Sequence, residues 1–279
     1  MNRVFITGAS SGIGAALARE YAAQGATLGL LARRRDALDA LAASLPGPGA
    51  GSHKVYAVDV LDHAALAAAC ADFIACTGGA DIVIANAGVS HGTLTEESDD
   101  LAMFETIFAT NVTATVATFA PFIAGMKAAR TRGAGEPQPH APTLVGIASV
   151  AGIRGLPGAG AYSASKAAVL CYCEALRVEM KPHAIRVVTL APGYIDTPMT
   201  QGNPYPMPFL MPAECFAREA AAAIAAGTSY RVIPWQMGVV AKLLRALPNG
   251  LYDLAVATAR RKPRKVNQAD QAGQAGLVP

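Results

Sequence analysis

The sequence predicts an α/β protein: a doubly wound parallel sheet forming a single domain, with a C-terminal helical extension. Three observations predict it. Hydrophobic residues make up 52% of the 279 and charged residues only 15%, well under the roughly 25% of an average soluble domain. Short apolar runs of strand length alternate with Ala/Leu-rich segments of helical length from the first residues onward. A glycine-rich turn stands between the first such strand and the first such helix.

Taken in order, the strand-like runs are Val4–Thr7, Thr27–Ala32, Val55–Val58, Asp81–Ala85, Thr143–Ala148 and Ile185–Leu190, with a weaker one at Val232–Ile233. Their apolar residues are continuous rather than alternating, as expected of strands covered on both faces. Helical segments fall between or after them at 13–24, 34–45, 62–76, 101–130, 160–181 and 213–226. Strand, helix, strand at this spacing means right-handed crossovers and a parallel sheet. The Gly/Pro-rich stretches Pro46–Ser52 and Arg132–Pro142 read as surface loops. Asp196–Pro212 carries five prolines yet also Met199, Met207, Phe209 and Met211, which is too apolar for a plain loop. Residues 1–258 are expected to form the domain, with 235–258 as its helical extension, and 259–279 a basic, low-complexity tail.

Composition excludes several classes. A chain this apolar is not intrinsically disordered. Its net charge of +3 is too small to imply nucleic-acid binding. The five cysteines form no C-x-x-C pair and no metal-ligand spacing with the five histidines, so no metal is expected and the thiols are expected to be reduced. The opening Met1-Asn2-Arg3-Val4-Phe5-Ile6 runs directly into a strand rather than a signal peptide. No run approaches 18 uninterrupted apolar residues, so no spanning helix is expected. These features predict a cytoplasmic protein.

Gly8, Ser10, Ser11, Gly12, Ile13 and Gly14 belong to the turn Thr7-Gly8-Ala9-Ser10-Ser11-Gly12-Ile13-Gly14. Glycines allow backbone to lie against a pyrophosphate, and the helix that follows offers free N–H groups and a partial positive charge. The spacing is a variant of the Rossmann dinucleotide fingerprint, strengthened by its strand-before, helix-after context. Dinucleotide sites that take NAD usually end the second strand with an acid for the ribose 2′-hydroxyl. Here that position reads Leu31-Ala32-Arg33-Arg34-Arg35. Three guanidinium groups could pair a 2′-phosphate; Arg33 is the best candidate, with Ser10 in reach, Arg34 is open between that use and a solvated helix start, and Arg35 reads as a solvated helix-start residue. NADP(H) is therefore favoured over NAD(H). Asp59, with Val60 beside it, is placed to hold the adenine amino group, while Asp62 reads as a helix N-cap.

Tyr162-Ser163-Ala164-Ser165-Lys166 opens a helix, and the spacing of four puts phenol and ammonium on one face. An adjacent cation favours phenolate, as a general acid/base at neutral pH requires. With the glycine turn, these residues bring the chain to resemble the short-chain dehydrogenase/reductase family over about residues 3–235. Ala85-Asn86-Ala87-Gly88 is similar to the family's Asn-Asn-Ala-Gly motif, departing from it only at Ala85. The resemblance assigns Asn111, Ser149, Tyr162 and Lys166 to a catalytic tetrad, and Asn86, Ala87, Gly88, Pro192, Gly193, Ile195 and Thr197 to the cofactor. It implies that Tyr162 transfers the proton and Ser149 polarises the carbonyl. Lys166 would bind the nicotinamide ribose and bias Tyr162 toward ionisation, and Asn111 would fix a relay water.

The expected activity is hydride transfer between NADP(H) and a carbonyl or secondary alcohol. The alternative is a catalytically idle NADP-binding regulator or scaffold on the same fold. Pocket residues are expected at Ser90–Thr95, Ile153–Ala159 and Asp196–Pro212; Val89, Ile153, Leu156, Met199, Met207, Phe209 and Met211 make an apolar substrate the better fit. The helices at 101–130 and 160–181 are longer than one face of the sheet requires, and the family resemblance implies that they pair across a two-fold axis in a homodimer or homotetramer. In the extension, Trp235, Met237, Val240, Leu243, Leu244, Leu247, Leu251 and Leu254 recur at helical spacing before basic Arg260–Lys265. Contact with an anionic membrane surface is one use for them. Covering the pocket, with the basic run as a solvated tail, is favoured.

Overall fold

The computed structural model describes residues 2–47, 53–132, 141–257 and 262–264, with the backbone alone for 129–132. Most of both expected Gly/Pro loops, and the tail beyond 264, lie outside the described residues. The strands are β1 Arg3–Thr7, β2 Thr27–Ala32, β3 Lys54–Ala57, β4 Ile82–Ala85, β5 Thr143–Ile147, β6 Arg186–Pro192, β7 Ile195–Asp196, β8 Met211–Pro212 and β9 Tyr230–Ile233. The helices are α1 Gly12–Ala23, α2 Arg35–Ser44, α3 His63–Thr77, α4 Asp100–Phe108, α5 Ala114–Arg132, α6 Gly160–Met180, α7 Ala213–Ala225, α8 Trp235–Ala246 and α9 Asn249–Val256.

Seven strands form one parallel sheet in the order β3-β2-β1-β4-β5-β6-β9, and β7 pairs with β8 apart from it. Successive side chains on each strand enter opposite layers. Val4 and Ile6 of β1 join one core and Phe5 the other; Ile82 and Ile84 of β4 part from Val83 and Ala85 in the same way. The first layer is filled by α1, α2 and α7 through Leu17, Tyr21, Leu38, Leu41, Phe216 and Ile224. The second is filled by α3, α5 and α6 through Leu66, Phe73, Phe119, Phe122, Val169 and Leu176. This double burial explains the unbroken apolar strands. Arg3 fixes the sheet's lower rim, donating to both Asp81 carboxylate oxygens at 3.0 and 2.6 Å and to the Thr77 carbonyl at 3.2 Å.

Two expectations need correcting. The segment 101–130 is not one helix, because a π-helical turn at Ala109–Thr113 separates α4 from α5. From the first turn of α5, the Thr115 hydroxyl donates back to the Asn111 carbonyl in this widened turn, at 2.8 Å. The same stretch, Asp100–Ala128, is long and apolar enough by length and composition to cross a membrane, contrary to the expectation of none. Its apolar character has another use here: Ile107, Phe119, Phe122 and Met126 are buried within the protein.

The extension folds as two helices split at Pro248, and Arg154 makes most of the side-chain bonds that tie it down. The Arg154 guanidinium donates to the carbonyls of Leu244 and Leu247, at 2.9 and 2.8 Å, and to Asn249 Oδ1 at 3.1 Å. It also lies 4.0 Å over the ring of Tyr252, whose hydroxyl donates to the Gly155 carbonyl. A cation at the end of α8 answers the orphan carbonyls and negative dipole found there. Met237, Ala241 and Tyr252 are buried by this packing, while Trp235, Leu243, Leu251 and Leu254 stay exposed. The extension therefore covers the protein with only one of its faces.

Candidate active site

The carboxyl ends of β1, β4, β5 and β6 open on one edge of the sheet, where a cavity of about 360 Å³ lies. Its floor begins at the glycine turn. Gly8 has φ +68°, and a Cβ there would stand 2.9 Å from Ala87 Cα. The Thr7 hydroxyl accepts from the backbone N–H groups of Asn86 and Ala87, at 3.1 and 3.2 Å. Asn86 Nδ2 in turn donates to the carbonyls of Thr7 and Gly8, at 3.0 and 3.2 Å. Helix α1 then starts after Ser11 with no side-chain cap and no acid in its first turn, leaving its first N–H groups available to an anion.

The cavity brings together nearly all the expected site residues. Gly8, Ser10, Ser11, Gly12, Ile13, Arg33, Asp59, Val60, Asn86, Ala87 and Gly88 line one part of it, and Ser149, Tyr162, Lys166, Pro192, Gly193, Ile195 and Thr197 line the rest. Two expected residues do not reach it. Gly14 is buried behind the turn, where a Cβ would come 2.2 Å from the Gly8 carbonyl oxygen, so its part is to let α1 close on the strand. Asn111 is 1% exposed. Its Oδ1 accepts from Val89 N at 2.8 Å, and its Nδ2 donates to the Val89 carbonyl and Ser165 Oγ, at 3.1 and 2.9 Å. Both ends of that amide are occupied in tying α4–α5 and α6 to the loop after β4.

The arginine cluster is distributed differently from expectation. Arg35 turns along its own helix to Asp39, at 2.7 Å. Arg33 is exposed, with Asp59 3.9 Å away, and Asp59 also accepts from Leu61 N at 3.1 Å. Arg34, ranked behind Arg33 in the sequence reading, donates to Ser10 Oγ at 3.2 Å. Its backbone is extended as the N-cap of α2, which swings the side chain back to the glycine turn. Asp62 caps α3 as expected, accepting from Ala65 N at 2.9 Å.

Sequence reasoning also missed Thr106 and Thr110, which line the cavity from α4 and the π turn. Their spacing of four, on one helical face, was the available signal. Of the expected apolar pocket residues, Val89 and Met199 line this cavity. Phe209 and Met211 border a separate groove with Trp235 instead, and Ile153, Leu156 and Met207 border neither. The pairing of Ile195 with Met211 divides the proline-rich segment in this way.

Burial decides the charge states. Tyr162 is raised above the ordinary tyrosine range by desolvation, with the neighbouring Ser149 hydroxyl pulling weakly the other way. Lys166 is pushed down to about 8, again by burial. Its ammonium donates to the Ile147 carbonyl at 2.8 Å and lies 5.9 Å from the Tyr162 ring centroid. Desolvation is the largest influence on the phenol, and the Lys166 ammonium, expected to bias it toward phenolate, is turned to the Ile147 carbonyl. The phenol keeps its proton and can donate it. Ser149 holds the short turn after β5, accepting from Ala151 N at 3.1 Å.

The lowered Lys166 pKa carries a stability consequence. The folded protein disfavours the ammonium and the unfolded chain does not, so the penalty is complete below about pH 8 and fades as pH rises toward 10.5. Every tenfold loss of proton affinity on folding corresponds to about 1.4 kcal/mol, offset by about 1 kcal/mol for the hydrogen bond to Ile147. Lys166→Met should therefore make the cofactor-free protein more stable near neutral pH, and the gain should shrink above pH 8. Urea unfolding of both proteins across that range checks it; an offset independent of pH would contradict the assignment.

Comparison with known proteins agrees with this geometry. The family described as short chain dehydrogenase matches residues 2–205. An uncharacterized oxidoreductase of Myxococcus xanthus is 36% identical over 255 residues, 91% of this chain and 96% of the relative. A 3-ketoacyl-(acyl-carrier-protein) reductase from Brucella melitensis, solved with NADH, superposes with a TM-score of 0.73 at 26% identity, over 83% of this chain and 96% of that one. A Burkholderia cenocepacia short chain dehydrogenase in complex with NADP has the same fold, with a TM-score of 0.75 at 23% identity, over 92% and 98% of the two chains. With its parallel sheet, glycine turn and Tyr162–Lys166 pair in one cavity, the chain belongs to the short chain dehydrogenase family of oxidoreductases.

Proposed function

We propose that the protein is an NADP(H)-dependent oxidoreductase interconverting a carbonyl and a secondary alcohol on a largely apolar substrate. The observation that carries this reading is that Ser149, Tyr162 and Lys166 open into the same cavity as the glycine turn. The bound dinucleotide would supply and accept the hydride. The protein's own part is to position and polarise. The phenol of Tyr162, protonated through the neutral range by its burial, donates to the substrate oxygen in reduction. Ser149 orients that oxygen from the end of β5 and stabilises charge developing on it. Lys166 holds the ribose end, exchanging its bond to the Ile147 carbonyl for ribose hydroxyls.

The preference for NADP(H) rests on Arg33 and Arg34 at the end of β2, where no acid stands. Arg34 already bridges to Ser10, so a 2′-phosphate between them would meet two guanidinium groups and a hydroxyl. Assembly as a homodimer or homotetramer is supported by apolar residues left exposed on the long helices, among them Leu101, Phe104 and Val116 on α4–α5 and Val178 on α6.

Three measurements test these assignments. Tyr162→Phe should keep NADPH affinity while losing about 10²–10⁴-fold in turnover; near-normal turnover would refute the proton-donor role, and tight NADPH binding with no turnover of any carbonyl by the parent protein would favour the regulator instead. Arg33→Ala and Arg34→Ala should each weaken NADPH binding about tenfold with far less effect on NADH, whereas equal losses would make both arginines structural. Light scattering at micromolar concentration should give at least twice the chain mass of 28.5 kDa, and a monomer would overturn the assembly.

A further inference from the structure

The basic run after α9 was expected to be a solvated tail, but residues 262–264 dock on the protein. They lie along the loop that follows β4. Gly92 N donates to the Pro263 carbonyl at 3.0 Å, and Gly92 pairs with Arg264 in a parallel bridge. The approach is backbone to backbone: a Cβ on Gly92 would stand 2.3 Å from the Lys262 carbonyl oxygen. Arg264 anchors the segment through Asp100, at 2.9 and 3.2 Å, and Glu97, at 3.1 Å. The segment lies well beyond residue 205, where the family match ends.

This docking carries Lys262 to the reacting phenol. Its Nζ donates to Ser90 Oγ at 2.7 Å and lies 5.6 Å from the Tyr162 ring centroid. Among the described residues no carboxylate comes within ion-pair distance of it, whereas Arg264, two residues on, takes two. Lys262 is half-buried, and that burial lowers the ammonium's pKa from the ordinary lysine value. A buried cation without an anionic partner is costly unless a ligand provides one.

We propose that Lys262 is a specificity-determining residue for an acidic substrate, pairing a carboxylate on the molecule whose carbonyl Tyr162 reduces. The inference rests on the reductase reading above and sharpens it. The substrate is then an apolar keto acid or hydroxy acid, with its oxygen at Tyr162 and Ser149 and its carboxylate at the Lys262 ammonium, beside Ser90. The other ammonium beside the phenol, that of Lys166, is turned to the Ile147 carbonyl and reserved for the ribose. The chain reads its substrate's charge with a residue from its own far end.

The test is reduction by NADPH of benzoylformate and its homologues with one to three methylenes between carbonyl and carboxylate, each compared with its methyl ester. The wild-type protein should prefer at least one acid to its ester in kcat/KM. Lys262→Met should lower that acid-to-ester ratio about tenfold, the loss expected for one charge-assisted contact. Lys262→Arg should retain most of the preference. Gly92→Ala, which displaces the segment without altering Lys262, should lower the ratio as Lys262→Met does. A ratio unchanged in Lys262→Met overturns the proposal, and so does an equal rise for acid and ester, which would make the segment a mere obstruction. Both outcomes leave the reductase reading standing. Absence of turnover with every carbonyl, in protein that binds NADPH, removes both.

Discussion

The hydrogen bonds joining the ends of β1 and β4 are what the rest of the site depends on. These two strands are neighbours, yet the chain leaves them for opposite layers of helices, so a crevice must open where they end. Thr7 and Asn86 hold its two lips together by four bonds between backbone and short polar side chains. The contact then propagates. Gly88 passes within 3.1 Å of Asn111 Oδ1 and 3.5 Å of Lys166 Nζ, measured from where its Cβ would stand. Asn111 continues to Ser165 on α6, one residue from Lys166. An unbroken line of close contacts thus runs from the first strand to the helix bearing Tyr162, and a shift at the glycine turn is felt at the phenol.

That line also explains the charge states. Packing this close leaves little water around the two titratable groups, and desolvation moves them in opposite senses: the phenol is held neutral and the ammonium is weakened. A lysine poised near neutrality costs the fold stability, which a protein tolerates where function requires it. Here the requirement is a donor that can change partners, since a fully solvated ammonium would gain little by leaving water for ribose hydroxyls.

Much of this was legible in the sequence because its signals are local. The alternation of apolar runs with Ala/Leu helices, the Thr7–Gly14 turn, and the four-residue step from Tyr162 to Lys166 each lie within one element or one connection. What escaped depends on partners far along the chain. Asn111 read as a residue for a relay water, and nothing local foretold that its amide also ties Val89 to Ser165, 22 and 54 positions away. Which of three consecutive arginines faces the turn was decided by the extended backbone at Arg34, invisible to composition. The break between α4 and α5 was hidden because a π turn needs no breaker residue. Lys262 was the least legible of all, a basic residue in a basic run, given meaning only by the close approach at Gly92.

The Arg154 clamp has a consequence for how such a protein could diversify. The loop after Ser149 is held by carbonyls and a ring ninety or more residues further along, so the described residues of the C-terminal segment serve as a mould for that loop. The dinucleotide half is stitched by Thr7, Asn86 and glycines that leave no room for alteration. The mould is fastened by long side chains, Arg154, Arg245 and Arg264, which reach across gaps and accommodate shifts. A lineage could recast the terminal segment and acquire a new substrate while inheriting its hydride chemistry unchanged.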